Sequence, residues 1–316
     1  MKVYKNINSL PDFPKAIVTI GTFDGVHLGH KKILGLLKEQ AKISGGETVI
    51  ITFHPHPRNI VGSTPHDISM INSMEERIER FKLEGIDHLV IVPFTEEFSR
   101  LSPEEYVEEF LIKKFNPHTL VIGYDHRFGC NRKGGYELLE SYAEKGSFRL
   151  IEIPAYIMKD NTVSSTRIRN YLYNGNCELA GELLGYNFYI TGTVIHGDKI
   201  GRKIGYPTAN IRVPEEDKLL PADGIYAVTV SFPGEDGNKI FKGMLSIGFR
   251  PTVKGKFRVI EVNIFDFNEN IYDKPIRVFF HKYLRPEFKF EDLGALTRQM
   301  DLDKINSLEV LNNLST

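Results

Sequence analysis

Through the first half of the chain, short β-branched apolar runs alternate with stretches of helical periodicity. AIVTI (16–20), TVIITF (48–53), HLVIVPF (88–94), TLVIGYD (119–125) and RLIEIPA (149–155) are short and mostly apolar. Such runs suit strands buried on both faces. Between them, His30–Ala41 places Ile33, Leu37 and Ala41 on one helical face, and Gly45-Gly46 ends it. Ser102-Pro103-Glu104-Glu105 opens another helix. Ser102 caps it, Pro103 suits its first turn, and Glu105 completes a capping box. Strands separated by helices predict an α/β, Rossmann-like domain with a parallel sheet covered on both faces.

From about residue 186 the period changes. NFYITGTVI, GIYAVTVSF, NKIFKGMLSIG, KFRVIEVNIFDF and PIRVFFHKYL read as strands joined by turn-rich links, with no intervening helices. PGEDGN (233–238) reads as a hairpin turn. This half is expected to be antiparallel and closed into a small β-barrel, with an amphipathic C-terminal helix over roughly 290–312 packed on it. Two short helical segments, SSTRIRNYLYNG and NCELAGELLG, precede a boundary near Gly185. The expected domains are therefore 1–185 and 186–316.

Composition narrows the function classes. A length of 316 residues favours two cores over one. Lys+Arg (40) and Asp+Glu (41) nearly cancel and no basic stripe is present, which argues against a nucleic-acid partner. Cys130 and Cys177 are the only cysteines and form no CxxC pattern. That disfavours a disulfide scaffold or a cysteine-rich zinc site and suits a reducing cytoplasm. The first fifteen residues are polar, and no apolar run is long enough to span a bilayer, so a soluble cytoplasmic protein without a membrane partner is expected.

Two stretches carry candidate chemistry. GTFDGVHLGH (21–30) follows an apolar strand and opens a helix. Backbone amides at such a turn favour anions, and glycines at Gly21 and Gly25 let a nucleotide approach closely. His27 and His30 could donate to phosphate oxygens. Metal ligation and plain packing are the competing readings, although the HExxH pattern of a zinc site is missing. The second stretch, TGTVIHGDKIGRKIGYPTANI (191–211), is rich in glycine and basic residues. The P-loop template GxxxxGK[ST] fails here, because only three residues separate Gly197 from Gly201. Composition alone makes it a glycine-rich hairpin or barrel-edge loop.

GTFDGVHLGHKKIL resembles the HxGH-bearing start of the FMN adenylyltransferase module in bacterial bifunctional riboflavin kinase/FAD synthases. TFHPHPR (52–58), GYDHRFG (123–129) and SSTRIR (164–169) resemble further marks of that family and follow in order. The resemblance implies that Gly21, Phe23, Gly25, His27 and His30 meet ATP, the histidines stabilising adenylyl transfer. It implies that Ser165, Thr166 and Arg169 hold the triphosphate and the departing pyrophosphate. Arg127 and Arg132 are secondary phosphate candidates. His54 or His56 would face flavin or phosphate. Asp125, which stands where many relatives carry Asn and which repels phosphate when ionised, would position the flavin or link to a metal.

Gly192 to Asn210 resembles the riboflavin kinase signature, and GIYAV (224–228), SIGFRPTV (246–253), VIEVNIFDF (259–267) and LRPEFKF (284–290) extend it. The resemblance implies a six-stranded barrel. Gly197, Gly201, Arg202 and Gly205 would form a nucleotide flap, and Thr208 and Asn210 would hold Mg2+ and ATP phosphate. Glu261 would accept the proton of the riboflavin 5′-hydroxyl, and Arg285 would contact flavin. Ser246 stands where many relatives carry Asn, and Asn263 where many carry His. The function so implied is bifunctional: riboflavin plus ATP gives FMN plus ADP, then FMN plus ATP gives FAD plus pyrophosphate. A chain with one active module, or a non-catalytic flavin- or nucleotide-binding regulator, is the alternative.

Overall fold

In a computed structural model of the protein, the described residues are 1–61, 68–123, 126–153, 163–197, 200–234, 239–252 and 255–314. The expected hairpin tip at 235–238, the run ends at 124–125 and 154–155, and Val253 lie outside them. The chain divides into two compact units, Met1–Ser165 and Thr166–Thr316. No helix among the described residues is long and apolar enough to cross a membrane.

The strands of the first unit are β1 (Lys2–Tyr4), β2 (Ile17–Ile20), β3 (Thr48–His54), β4 (His88–Pro93), β5 (Thr119–Gly123) and β6 (Arg149–Ile153). They form one parallel sheet in the order β1-β4-β3-β2-β5-β6. Alternate residues of the same strands feed two separate cores. Val18, Val49, Ile51, Val90 and Val92 pack on one face, and Ile17, Ile50, Leu89, Ile91 and Val121 on the other. This is why the central strands read as unbroken apolar runs. The edge strand β1 is absent from the pattern. It is three residues long and is held by Lys2 N–H donating to the Asp87 carbonyl (2.7 Å) and by Tyr4 against His88 (3.2 Å).

The helix Leu28–Ser44 buries Ile33, Leu34, Leu37 and Ala41 and ends at Gly45. It begins two residues earlier than expected, because a histidine serves as its cap. The Ser102–Glu105 capping box forms in both directions (2.8 and 3.1 Å) and contributes about 1 kcal/mol. The helical stretch it opens is π-helical over Tyr106–Ile112, which its residue pattern does not signal.

The second unit holds β7 (Tyr189–Ile195), β8 (Ala209–Arg212), β9 (Gly224–Ser231), β10 (Phe241–Thr252), β11 (Gly255–Ile264) and β12 (Pro275–Arg285). They close into an antiparallel barrel in the order β10-β11-β8-β7-β12-β9, with β9 pairing both β10 and β12. Tyr226, Val228, Leu245, Ile247, Val262, Val278 and Phe280 are buried. One expectation is corrected: a four-residue helix, Ile200–Lys203, interrupts the link from β7 to β8. Tyr206 N–H closes that turn onto the Gly201 carbonyl (2.8 Å). Residues 166–184 group with the barrel ahead of Gly185. The Leu172 carbonyl, for example, accepts from Ala222 N–H (3.0 Å).

The C-terminal helix, Leu293–Asn312, is capped by Asp292 and packs on the barrel partly through polar groups. Asp303 and Ser307 are buried while Leu302 and Ile305 are exposed, so the helix departs from a simple apolar stripe. Arg285 grips Asp303 with two hydrogen bonds (2.8 and 2.6 Å), and Gln299 donates to the same carboxylate (2.9 Å). Removing one partner of such a buried pair costs about 3–5 kcal/mol.

On the barrel, His281 hydrogen-bonds Thr229 through Nε2 (2.8 Å), and burial pushes its pKa down to about 4. Between that value and the ordinary 6.5, the unfolded chain binds a proton that the folded chain refuses. Stability is therefore intact above pH 6.5 and falls as the pH drops toward 4. Thermal unfolding should show a smaller loss for His281→Gln than for the wild type between about pH 7 and pH 5. Equal losses would contradict this placement of the ring.

Candidate functional site

The chain leaves the C-terminal end of β2 through Gly21–Val26 and enters the helix Leu28–Ser44, at the sheet end where α/β folds place ligands. Gly21 N–H donates to the Ile51 carbonyl (3.0 Å). Phe23, Gly25 and Val26 all have positive φ (48°, 87° and 36°). For Phe23 and Val26 that conformation costs about 1–3 kcal/mol each. Phe23 is buried edge-on to His30 (5.0 Å between ring centres) and Phe81 (5.8 Å).

His27 caps the helix, its Nδ1 accepting the His30 backbone N–H (3.3 Å). The neutral ring therefore carries its proton on Nε2. The His27 and His30 rings stack with centres 3.6 Å apart and planes 15° apart. A Cβ at Gly29 would lie 3.1 Å from the His27 ring, so only glycine leaves that ring its place comfortably. Burial, then the neighbouring His27, holds the His30 pKa well below 6.5. Its buried Nδ1 has no hydrogen-bond partner. Imidazole N–H groups at a helix N-terminus can donate to an anion. Metal ligation fits less well, because the Nδ1 lone pair of His27 is engaged by an amide. No group of three metal-ligating side chains occurs among the described residues.

Ser165 opens the helix Ser165–Tyr173, and its Oγ donates to the Asp24 carbonyl (2.9 Å), joining SSTRIR to the histidine loop. Thr166 is exposed, and Arg169 lies one turn beyond Ser165, half-buried; both fall in the second unit. His56 is half-buried, with its Nδ1 accepting from Arg58 N–H (3.2 Å) at the head of the short helix Pro57–Val61. Asp125 lies outside the described residues.

In the barrel, strand register gathers a second group. Glu261 on β11 faces Asn210 on β8 and Ser246 on β10, so the three side chains share one side of the sheet. Ile260 and Val262, flanking Glu261, are buried, whereas Glu261 is half-buried on the opposite side. Gly197 lies against the Asn210 amide, in a space that any Cβ would invade. A cavity of about 530 Å3 in the same unit is lined by Arg202, Thr208, Val262, Phe267, Asn270 and Tyr272, and not by the three side chains of this row. Arg202 donates to the Tyr272 hydroxyl (3.0 Å), and the His196 ring lies 3.9 Å from that of Tyr272. Gly205 turns the flap with φ 82°; residues 198–199 of the flap lie outside the described residues. Arg285 is committed to Asp303 and also lies over the Phe288 ring (4.5 Å). A flavin contact through it would require that pair to open.

Two family models match the chain in tandem: FAD synthetase over residues 10–167 and riboflavin kinase over 184–311. The bifunctional riboflavin kinase/FMN adenylyltransferase of Bacillus subtilis (strain 168) is 36% identical over 95% of this chain and 94% of its own. The chain belongs to the bifunctional riboflavin kinase/FMN adenylyltransferase family. Another family member, from Buchnera aphidicola (subsp. Schizaphis graminum), is 39% identical over 96% of both chains. A crystal structure described as a macrolide-efflux protein from Streptococcus pneumoniae shares the fold, with a TM-score of 0.85, 31% identity and 99% of each chain covered. The FAD synthetase match contains His27, His30 and Ser165, and the riboflavin kinase match contains Thr208, Asn210 and Glu261.

Several residues of these sites carry no signal in the sequence. Tyr272 and Asn270 reach the cavity from a stretch that reads only as a turn-rich link. Arg77 reaches the histidine loop from a distant helix. The depressed pKa makes His30 neutral throughout the range from about pH 6.5 to 8. Proton NMR of its ring should show no titration midpoint in that range. A midpoint near 7 would mean that the ring is solvated and differently placed.

Proposed function

We propose that His27 and His30 carry adenylyl transfer, and Glu261 the kinase step, in a chain that both phosphorylates riboflavin and adenylylates FMN at the expense of ATP. The observation carrying the first assignment is the stacked histidine pair at a helix N-terminus, in which His27 Nδ1 accepts the His30 amide and Nε2 is the ring nitrogen that bears a proton. We keep the functional division at Gly185, between modules 1–185 and 186–316, because the second family match begins at residue 184.

In the first module, an FMN phosphate oxygen attacks the α-phosphorus of ATP and pyrophosphate leaves. The nucleophile is already an anion, so no strong base is needed. Aimed N–H donors and positioning supply the rate. His27 and His30 donate to the phosphate oxygens as negative charge redistributes, while Gly21, Phe23 and Gly25 shape the approach of ATP. Ser165, Thr166 and Arg169 hold the triphosphate and the pyrophosphate. His56 and Asp125 are assigned to flavin.

In the second module, Glu261 accepts the proton of the riboflavin 5′-hydroxyl as its oxygen attacks the γ-phosphorus, leaving FMN and ADP. The register that sets Glu261 beside Asn210 supports this role. Thr208 and Asn210 offer hard oxygen donors suited to Mg2+. Thr208 Oγ1 lies 3.5 Å from the Cβ position of Gly201, and the Asn210 amide occupies the space that glycine frees at 197, so both stand beside the flap. The ion, when bound, neutralises polyphosphate charge. Gly197, Gly201, Arg202 and Gly205 cover the nucleotide.

Chromatography of flavins separates the two steps. With Mg-ATP, the His27→Ala and His30→Ala proteins should make FMN from riboflavin at the wild-type rate but FAD about 10²–10³-fold more slowly. Glu261→Gln should slow FMN formation about 10²–10⁴-fold while still converting supplied FMN to FAD. Full kinase activity in Glu261→Gln would reassign the base.

A further inference from the structure

The loop that presents His27 and His30 is strained, yet it is among the best buried parts of the first unit. Positive φ at Phe23 and Val26 needs outside support, because neither residue favours that conformation. Much of that support comes from the helix Met74–Leu83 and the segment leading into it. The Asp24 carboxylate is 1% exposed and accepts the backbone N–H groups of Ile71 (3.1 Å) and Asn72 (3.2 Å). Arg77, 2% exposed, stands in the first turn of that helix and donates through Nη1 to the Thr22 carbonyl (2.8 Å). Thr52 Oγ1 on β3 donates to the same carbonyl (3.2 Å).

The platform behind these groups is itself rigid. Ser73 and Glu76 form a reciprocal capping box (3.1 and 3.2 Å). Asn72 donates to the Glu76 carboxylate (3.4 Å), and Glu76 is buried. On the other side, the Asp24 carbonyl receives Ser165 Oγ. A buried carboxylate and a buried guanidinium thus hold positions two residues apart, immediately before the histidines. A guanidinium is a costly choice for mere filling, since burying a charge is unfavourable unless its hydrogen bonds are needed.

We propose that Asp24 and Arg77 are positioning residues for adenylyl transfer, clamping the loop of residues 22–26 so that His27 and His30 are aimed at the reacting phosphates. This rests on the reading of the two histidines as phosphate donors. Neither Asp24 nor Arg77 touches substrate in this scheme. Their loss misdirects the donors, and an error of about an ångström in such groups costs up to 10²-fold in rate. Binding of FMN and ATP draws on many other contacts, so KM moves little.

The test uses the full chain with three variants. Arg77→Met keeps the bulk and removes the donor, Arg77→Lys keeps a cationic donor, and Thr52→Val removes only the second hydroxyl. In Arg77→Met, kcat for FAD formation from FMN should fall about 10–100-fold, with both KM values within about threefold of wild type. Arg77→Lys should recover part of that loss, and Thr52→Val should cost a few-fold. Riboflavin phosphorylation should be unchanged in all three. Nitrogen-15 NMR supplies a second readout. In the wild type, His27 should show an unprotonated Nδ1 and a protonated Nε2, and in Arg77→Met it should show averaged tautomers. A lowered melting temperature with full kcat and an intact His27 pattern would reduce the clamp to a stability element and overturn the proposal. If Arg77→Met does not fold, Thr52→Val decides, with wild-type kcat and pattern overturning it. If the wild type makes no FAD, the phosphate reading fails, and the NMR pattern still judges the clamp.

Discussion

One hydrogen bond, from the His30 backbone amide to Nδ1 of His27, sets what the first unit can do. It caps the helix, fixes the tautomer and leaves Nε2–H as the ring donor at the end of a parallel sheet. The two rings stack beside it, and burial, then the neighbouring His27, holds the His30 pKa well below its ordinary value. Under the proposed assignment, an anionic polyphosphate would meet oriented donors that need not lose protons to serve. The strained turn before them follows from the same demand. The chain must rise from β2, reverse and start a helix within seven residues, and ordinary backbone angles do not suffice.

The barrel solves its chemistry by a different constraint. There, antiparallel register brings Asn210, Glu261 and Ser246 into one row. A slip of one residue in β11 would turn Glu261 toward the apolar interior and put Val262 in its place. The flap supplies what register cannot: a glycine at 197 that leaves the Asn210 amide a space any Cβ would invade. One unit thus stores strain at a strand end and the other relies on strand pairing. This suits two reactions that attack different phosphorus atoms of ATP.

Much of this was legible in the chain before folding. Strands β2 to β5 announce themselves because both faces are buried, and the HxGH, SSTRIR and PTAN stretches place their candidate residues close together in sequence. What was not legible depends on distant partners. β1 is an edge strand with no apolar pattern to show. β8 is four residues long and follows Pro207, and so hides in a glycine-rich loop. The C-terminal helix buries Asp303, which the sequence pattern does not show and which its bonds from Arg285 and Gln299 explain. Asp24 is visible in the sequence as one letter of a motif, but its two amide partners lie 47 and 48 residues away. Arg77 lies outside every motif.

The kinase step and the adenylyl transfer are proposed to rest on different residues of one chain, Glu261 and the His27–His30 pair. Mixing two defective proteins tests this directly. His27→Ala/His30→Ala protein and Glu261→Gln protein, each incubated alone with riboflavin and Mg-ATP, should form almost no FAD. Together they should form it, the first supplying FMN and the second adenylylating it. A mixture that accumulates FMN but no FAD, while the Glu261→Gln protein still converts added FMN, would contradict sequential action through released FMN. A mixture as inactive as its parts on every flavin would contradict the division of labour itself.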